Sequence, residues 1–195
     1  MIEIRMTYYI CSYALFVGFF LIEHFIRKGK DTKSMSRTEF DKGSTTFISI
    51  VMGIAFIIVP LSPLLNSLKI GMFFSVWVGA VGVVIGVLGL LIRYFAFSTL
   101  GRFFTRTLRE TDEHNLVTSG IYRYIRHPGY LSDILIFFGA SLAIGNLISM
   151  IVVPVLFIPA YIYRIKTEEK MLIKIFGDSY ITYQRTTKRL IPYIF

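Results

Sequence analysis

Long apolar runs separated by polar, mostly basic segments organise this chain. The first runs from about Tyr8 to Ile26, the second from about Thr45 to Leu65 and the third from about Met72 to Phe97. Each is close to the roughly 20 residues that a helix needs to cross a bilayer. A fourth run, Ile134 to Tyr163, contains no charged residue. It is too long for one upright span, and Gly145-Asn146 near its middle marks a turn. The pattern therefore predicts two shorter helices in a hairpin, with Pro154 and Pro159 kinking the second arm. A polar tail follows from Arg164 to Arg189, with an amphipathic helix expected through Lys174 and Gly177 as its C-cap. The expected fold class is an all-α multi-pass membrane protein of about five transmembrane helices, built as a single domain. Residues 1–97 form a three-span scaffold, and residues 98–195 carry the chemistry.

Composition supports that class. Of 195 residues, 54% are hydrophobic and 17% charged, against about a quarter charged in soluble domains. The net charge of +9 does not indicate nucleic-acid binding, because no basic helix or aromatic platform stands free of the apolar runs. The basic residues flank those runs instead. Arg27, Lys28, Lys30, Lys33, Arg37 and Lys42 follow the first, and Arg102, Arg106 and Arg109 follow the third. The loop after the second holds Lys69 alone. By the positive-inside rule the N-terminus lies outside, and both large polar segments and the tail lie in the cytoplasm, in contact with the bilayer surface. The first run lacks a strong basic n-region and a small-residue cleavage site, so it reads as a span rather than a signal peptide. Cys11, the single cysteine, excludes an intrachain disulfide and a cysteine metal site and reads as a buried small apolar residue.

Within the third run, Gly79, Gly82, Gly86 and Gly89 repeat at spacings of three, four and three. They form a smooth stripe against which another helix can pack closely. Arg93 sits near the cytoplasmic end and is expected to snorkel to the interface. The polar segment from Ser98 to Arg126 is long enough that it is expected to fold over a site, with Thr111-Asp112-Glu113-His114 marking a turn or a helix start.

The chemistry gathers at the flanks of the hairpin. Arg126-His127-Pro128 stands just before it, with Pro128 suited to the first position of a helix. His127 and the free backbone N–H groups beside it can meet an anionic group. His127 reads as a helix cap, a metal ligand or a cofactor contact; no second histidine at ligand spacing supports the metal. Arg164 and Glu168 are one helical turn apart and emerge directly from the uncharged run. That position makes a surface ion pair the weaker reading and a role in binding the stronger. Glu169 reads as a supporting or solvated residue.

These residues carry a resemblance. Asp112-Glu113-His114-Asn115-Leu116-Val117-Thr118-Ser119-Gly120-Ile121-Tyr122, the element Arg126-His127-Pro128-x-Tyr130, Glu168-Glu169, Phe176-Gly177-Asp178-x-Tyr180-x-x-Tyr183 and the ending Arg189-Leu190-Ile191-Pro192 resemble the isoprenylcysteine carboxyl methyltransferases. The likeness runs from Arg93 to the C-terminus, about half of the chain; the first three spans match in layout only.

The resemblance implies an S-adenosyl-L-methionine-dependent enzyme whose active site faces the cytoplasm. It places cofactor contacts on His114, Asn115, Leu116, Val117, Tyr122, His127, Pro128, Gly129, Tyr130 and Glu168, and a weaker one on Thr107. Arg164 would meet the carboxylate of a lipophilic, prenylated acceptor entering from the bilayer, and no metal is implied. Two wider relatives compete. Phospholipid N-methyltransferases share Arg-His-Pro-x-Tyr, the paired glutamates and the cofactor. Sterol reductases use NADPH, and their motif continues into an aspartate, as Tyr130-Leu131-Ser132-Asp133 does here.

Overall fold

The computed structural model describes residues 2–26, 43–100 and 116–191. It is helical throughout: α1 (Ile2–Phe25), α2 (Ser44–Ser67), α3 (Val76–Leu100), a 3₁₀ turn (Gly120–Arg123), α4 (Pro128–Ile144), α5 (Leu147–Phe176) and α6 (Asp178–Thr186). Among the described residues β-pairing is limited to two isolated bridges. Helices α1, α2, α3 and α5 are each long and apolar enough to cross a membrane, while α4 is apolar but only 17 residues long. The chain is an integral membrane protein of the all-α type.

The hairpin is present where the sequence places it. Gly145 adopts the left-handed conformation at φ 69° and caps α4, and Asn146 caps α5 by accepting from the Ile148 and Ser149 N–H groups. Asn146 also donates to Asn66 Oδ1 (2.8 Å) and to the Ile70 carbonyl (2.9 Å). Asn66 in turn donates to the Ile144 carbonyl (3.1 Å). Two buried amides thus satisfy each other and tie the turn to the end of α2. Helix α2 runs through Pro60 and Pro63, and α5 runs through Pro154 and Pro159.

Helix α4 is the centre of the bundle. It packs on α1, α2, α3 and α5, and its closest neighbour is α3, through the glycine stripe. A Cβ on Gly82 would lie 2.5 Å from the Ala143 nitrogen, and one on Gly139 would lie 2.5 Å from the Gly86 nitrogen. The two backbones touch there, which side chains at either position would prevent. On the other side of α4, Phe137 takes Phe16, Phe56 and Phe157 edge-on, with centroids 5.2, 4.8 and 5.2 Å away. Outward-facing residues such as Trp77, Ile57 and Val84 are exposed, as lipid-facing positions must be.

Three expectations are corrected. Helix α1 begins at Ile2, not near Tyr8: Arg5 is accommodated within it, donating to the Tyr9 hydroxyl (3.1 Å) and lying over the Phe74 ring. Cys11 is half-buried rather than buried. Arg93 does not snorkel. It is 4% exposed and ion-paired to Glu23 of α1 and Asp133 of α4, between the Phe19 and Phe97 rings.

Candidate functional site

Arg164 is the eighteenth residue of α5, about 26 Å along its axis at 1.5 Å per residue. It therefore stands where a hydrocarbon core of about 30 Å gives way to the interface. The first turn of α4 lies at the same end of the hairpin. His127 occupies the N-cap position and Pro128 the first turn, where its missing N–H is no loss. The His127 side chain makes no capping hydrogen bond, so the cap reading of its imidazole falls away.

Tyr130 joins the two arms. Its hydroxyl donates to Glu168 Oε2 (2.6 Å) and accepts from Arg164 Nε (3.2 Å). Arg164, buried at 4% exposure, also donates to Ser44 Oγ (2.8 Å) and Thr45 Oγ1 (2.9 Å) at the start of α2. The Tyr130 ring is stacked on one side by His127 (centroids 5.6 Å apart, 13° between planes) and on the other by Tyr161 (5.0 Å, 26°). His127 is buried between the paired glutamates, with Nδ1 3.7 Å from Glu168 and Nε2 3.6 Å from Glu169. Both distances exceed hydrogen-bond length, and Nε2 has no hydrogen-bond partner among the described residues.

Glu169 is not solvated. It is 4% exposed and accepts from Arg126 Nε (3.0 Å) and from Arg189 Nε (2.9 Å) and Nη2 (2.8 Å). Arg126 also donates to the carbonyls of Gln184 (3.2 Å) and Thr187. Backbone bonds complete the junction: Arg126 N–H to the Lys188 carbonyl (2.8 Å) and His127 N–H to the Arg189 carbonyl (3.0 Å). The tail after α6 is thereby laid alongside residues 124–127. Tyr183 donates to the Tyr122 carbonyl (2.6 Å) and fixes the 3₁₀ turn to α6. Burial pushes the Tyr122 and Tyr183 hydroxyls up, the nearby Glu168 charge adding to the rise at Tyr122 and Arg126 opposing it at Tyr183. Both stay neutral at physiological pH, the form in which Tyr183 donates.

Of the residues named from sequence, His127, Tyr130, Arg164 and Glu168 converge on one point. Tyr122 and Val117 pack with Ala96 and Phe97 beside it, and Leu116 is half-buried. Pro128 and Gly129 open α4, and a Cβ on Gly129 would meet only Phe97, at an ordinary 3.7 Å. Thr107, His114 and Asn115 lie outside the described residues. Sequence reasoning missed Ser44 and Thr45, although the Ser44-Thr45-Thr46 run at the mouth of a span was a signal. It also underrated Arg126, Glu169 and Arg189. Asp133, the aspartate that suggested a reductase, accepts from Tyr161 (2.7 Å) and pairs with Arg93. Those partners account for its presence in a span without a nicotinamide cofactor.

The fold and site define a class: helical membrane proteins with a buried polar and ionic centre at the base of a terminal hairpin. Residues 81–174, from α3 into the last turn of α5, match the family model of the isoprenylcysteine carboxyl methyltransferases. It is similar to the protein-S-isoprenylcysteine O-methyltransferase of Schizosaccharomyces pombe, 34% identical over 109 residues, which are 55% of this chain and 46% of that protein. It is 37% identical to the Dictyostelium discoideum enzyme of the same name over 121 residues, 61% of this chain and 50% of that one. A probable enzyme of that name from Oryza sativa subsp. indica is 33% identical over 120 residues, covering 60% and 63%. The chain thus spans roughly half to three-fifths of the length of these relatives. A solved structure, the eukaryotic intramembrane Ras methyltransferase, shares the fold at TM-score 0.56 and 24% identity, over 75% of this chain and 52% of that one.

Proposed function

We propose that the protein is an S-adenosylmethionine-dependent methyltransferase acting on the carboxylate of a lipophilic acceptor, most simply the C-terminal carboxylate of a prenylated cysteine. The observation that carries this reading is the placement of Glu168 and Arg164 on opposite sides of one tyrosine hydroxyl, at interface depth. An anionic group for a cationic cofactor and a cationic group for an anionic acceptor stand within one helical turn.

The residues present fit such a cofactor. Glu168 is a carboxylate with a quarter of its side chain exposed. His127 Nε2 is a buried polar atom free to bond a ligand. Gly129 leaves room beside the first turn of α4, whose Gly129 and Tyr130 N–H groups have no helical acceptor before them. When bound, S-adenosylmethionine supplies an electrophilic methyl group on a sulfonium; the acceptor oxygen takes it, and the S–CH₃ electron pair stays with sulfur.

An acceptor carboxylate is already ionised at neutral pH, so the chain needs no general base. Its work is to hold and to align, which can lower a barrier by about 7–11 kcal/mol. Arg164 holds the carboxylate, and Ser44 and Thr45 hold Arg164. Tyr130 fixes the distance between the Arg164 and Glu168 side chains. The surrounding apolar helices keep water from the nucleophile. The prenyl chain reaches this point laterally through the bilayer. In this reading α4 completes five crossings and the site faces the cytoplasm, with residues 98–195 supplying most of the chemistry.

The test is transfer of a labelled methyl group from S-adenosylmethionine to a small S-farnesylcysteine analogue by the purified protein in detergent. Alkali-labile label in the analogue supports the reading. Methylation of phosphatidylethanolamine with none of the analogue overturns it.

A further inference from the structure

A second polar cluster lies one turn deeper than the site. Asp133 of α4 receives Arg93 of α3, and Arg93 also pairs with Glu23 of α1 and donates to Ser132 Oγ (3.3 Å). Ionisable groups within apolar helices are costly to insert and rare there unless partnered. Buried ion pairs are also weak evidence for stability, since apolar replacements often serve as well. Helix packing does not require the cluster: the glycine stripe already seats α3 on α4. The close approach of α3 and α4 is thus already provided for without the cluster.

Its remaining contact points to the site. Asp133 Oδ2 accepts from the Tyr161 hydroxyl at 2.7 Å, while the other carboxylate oxygen faces Arg93. Tyr161 is 2% exposed, and among the described residues its hydroxyl has one other hydrogen-bond contact, the Met52 sulfur at 3.6 Å, a weak acceptor. Its ring meets Phe157 edge-on at 5.5 Å and stacks on Tyr130 at 5.0 Å. Tyr130 carries the hydroxyl shared by Glu168 and Arg164. Offset stacking alone leaves a ring free to slide. A hydrogen bond to a fixed carboxylate does not.

We infer that Asp133 and Tyr161 are positioning residues of the methyl-transfer site: the Glu23–Arg93–Asp133 cluster anchors the Tyr161 hydroxyl, and the Tyr161 ring sets the plane in which Tyr130 presents its own. This inference rests on the methyltransferase reading. Asp133 and Tyr161 touch neither reacting group and act only through Tyr130.

Tyr161→Phe removes one oxygen and keeps the stack; Asp133→Asn removes the charge and keeps the shape. Each variant and the double variant are assayed for kcat and KM with the farnesylcysteine analogue, for S-adenosylhomocysteine affinity by calorimetry, and for thermal stability in detergent. The expected result is a fall in kcat of about tenfold and a several-fold loss of S-adenosylhomocysteine affinity in Tyr161→Phe, at nearly unchanged melting temperature. The double variant should fall no further than the worse single, because both residues act along one line. Wild-type kcat and affinity in a folded Tyr161→Phe protein overturn the inference, as do losses that multiply in the double variant. Failure of Asp133→Asn to fold leaves Tyr161→Phe as the deciding variant. A wild-type protein that neither binds S-adenosylhomocysteine nor methylates removes the methyltransferase reading, and this inference with it; an active wild type with indifferent variants removes this inference alone.

Discussion

Tyr130 gives its hydroxyl hydrogen to Glu168 at 2.6 Å, across the two arms of the terminal hairpin. The same oxygen accepts from Arg164, so one phenol separates a carboxylate from a guanidinium. Arg164 and Glu168 are therefore not a simple pair of opposite charges on a helix surface, each neutralising the other. Each is held by Tyr130, which stands between them.

Glu168→Ala removes the acidic group expected to meet the cofactor. Affinity for S-adenosylmethionine, measured by calorimetry, should drop at least tenfold, about 1.4 kcal/mol. Tyr130→Phe should show a smaller loss, because the carboxylate stays and only its orientation is released. Wild-type affinity in a well-folded Glu168→Ala protein would remove Glu168 from the site.

Arg164→Lys keeps the charge and loses the planar fork that can hold both oxygens of a carboxylate. It also loses the donor to Tyr130, since one ammonium cannot reach Ser44, Thr45 and the phenol together. Methylation of the farnesylcysteine analogue should fall at least tenfold, while cofactor affinity stays within about threefold. Equal loss of both would reassign Arg164 to the cofactor.

Glu169→Ala leaves Arg126 buried with its carboxylate partner gone and removes the Glu169 contacts of Arg189. Breaking a buried pair from one side costs about 3–5 kcal/mol. The melting temperature should drop sharply, and protease should release the tail beyond α6 before the bundle unfolds. Cleavage patterns identical to wild type would show that the tail is held by something other than Glu169.

Topology is tested with single cysteines placed between Arg27 and Lys42 in a Cys11→Ser background. A membrane-impermeant maleimide should label them only after the cytoplasmic side is opened. Labelling in sealed cells would invert the orientation and move the site to the outer face.

The hairpin was legible because its signals are local. A long uncharged run, a Gly-Asn pair and charges restarting at Arg164 fix two helices and a turn without reference to anything else. The His127, Tyr130 and Glu168 triad was legible through motif residues at fixed spacing. What the sequence could not reveal is pairing between distant helices. Glu23 and Arg93 stand in separate apolar runs and each alone reads as a residue near an interface, while Asp133, just before the fourth run, reads as a reductase-like motif position. Only the packing of α1, α3 and α4 brings them within reach. Ser44 and Thr45 were hidden for the same reason, since a hydroxyl at the start of a span ordinarily needs no partner. For Glu169 the sequence left a supporting and a solvated role both open, because its partners, Arg126 and Arg189, stand 43 and 20 residues away.

The seam between residues 124–127 and 187–189 bears on the order of assembly during synthesis. A nascent chain threads its apolar segments into the bilayer from α1 onward, and α5 is complete at Phe176. Arg126 and Glu169 are then both made, but Arg189 and the carbonyls that receive the Arg126 and His127 N–H groups are not. His127 cannot settle against Tyr130 in its final register until those residues leave the ribosome. The helical bundle is inserted first, and the polar junction at its end is closed last.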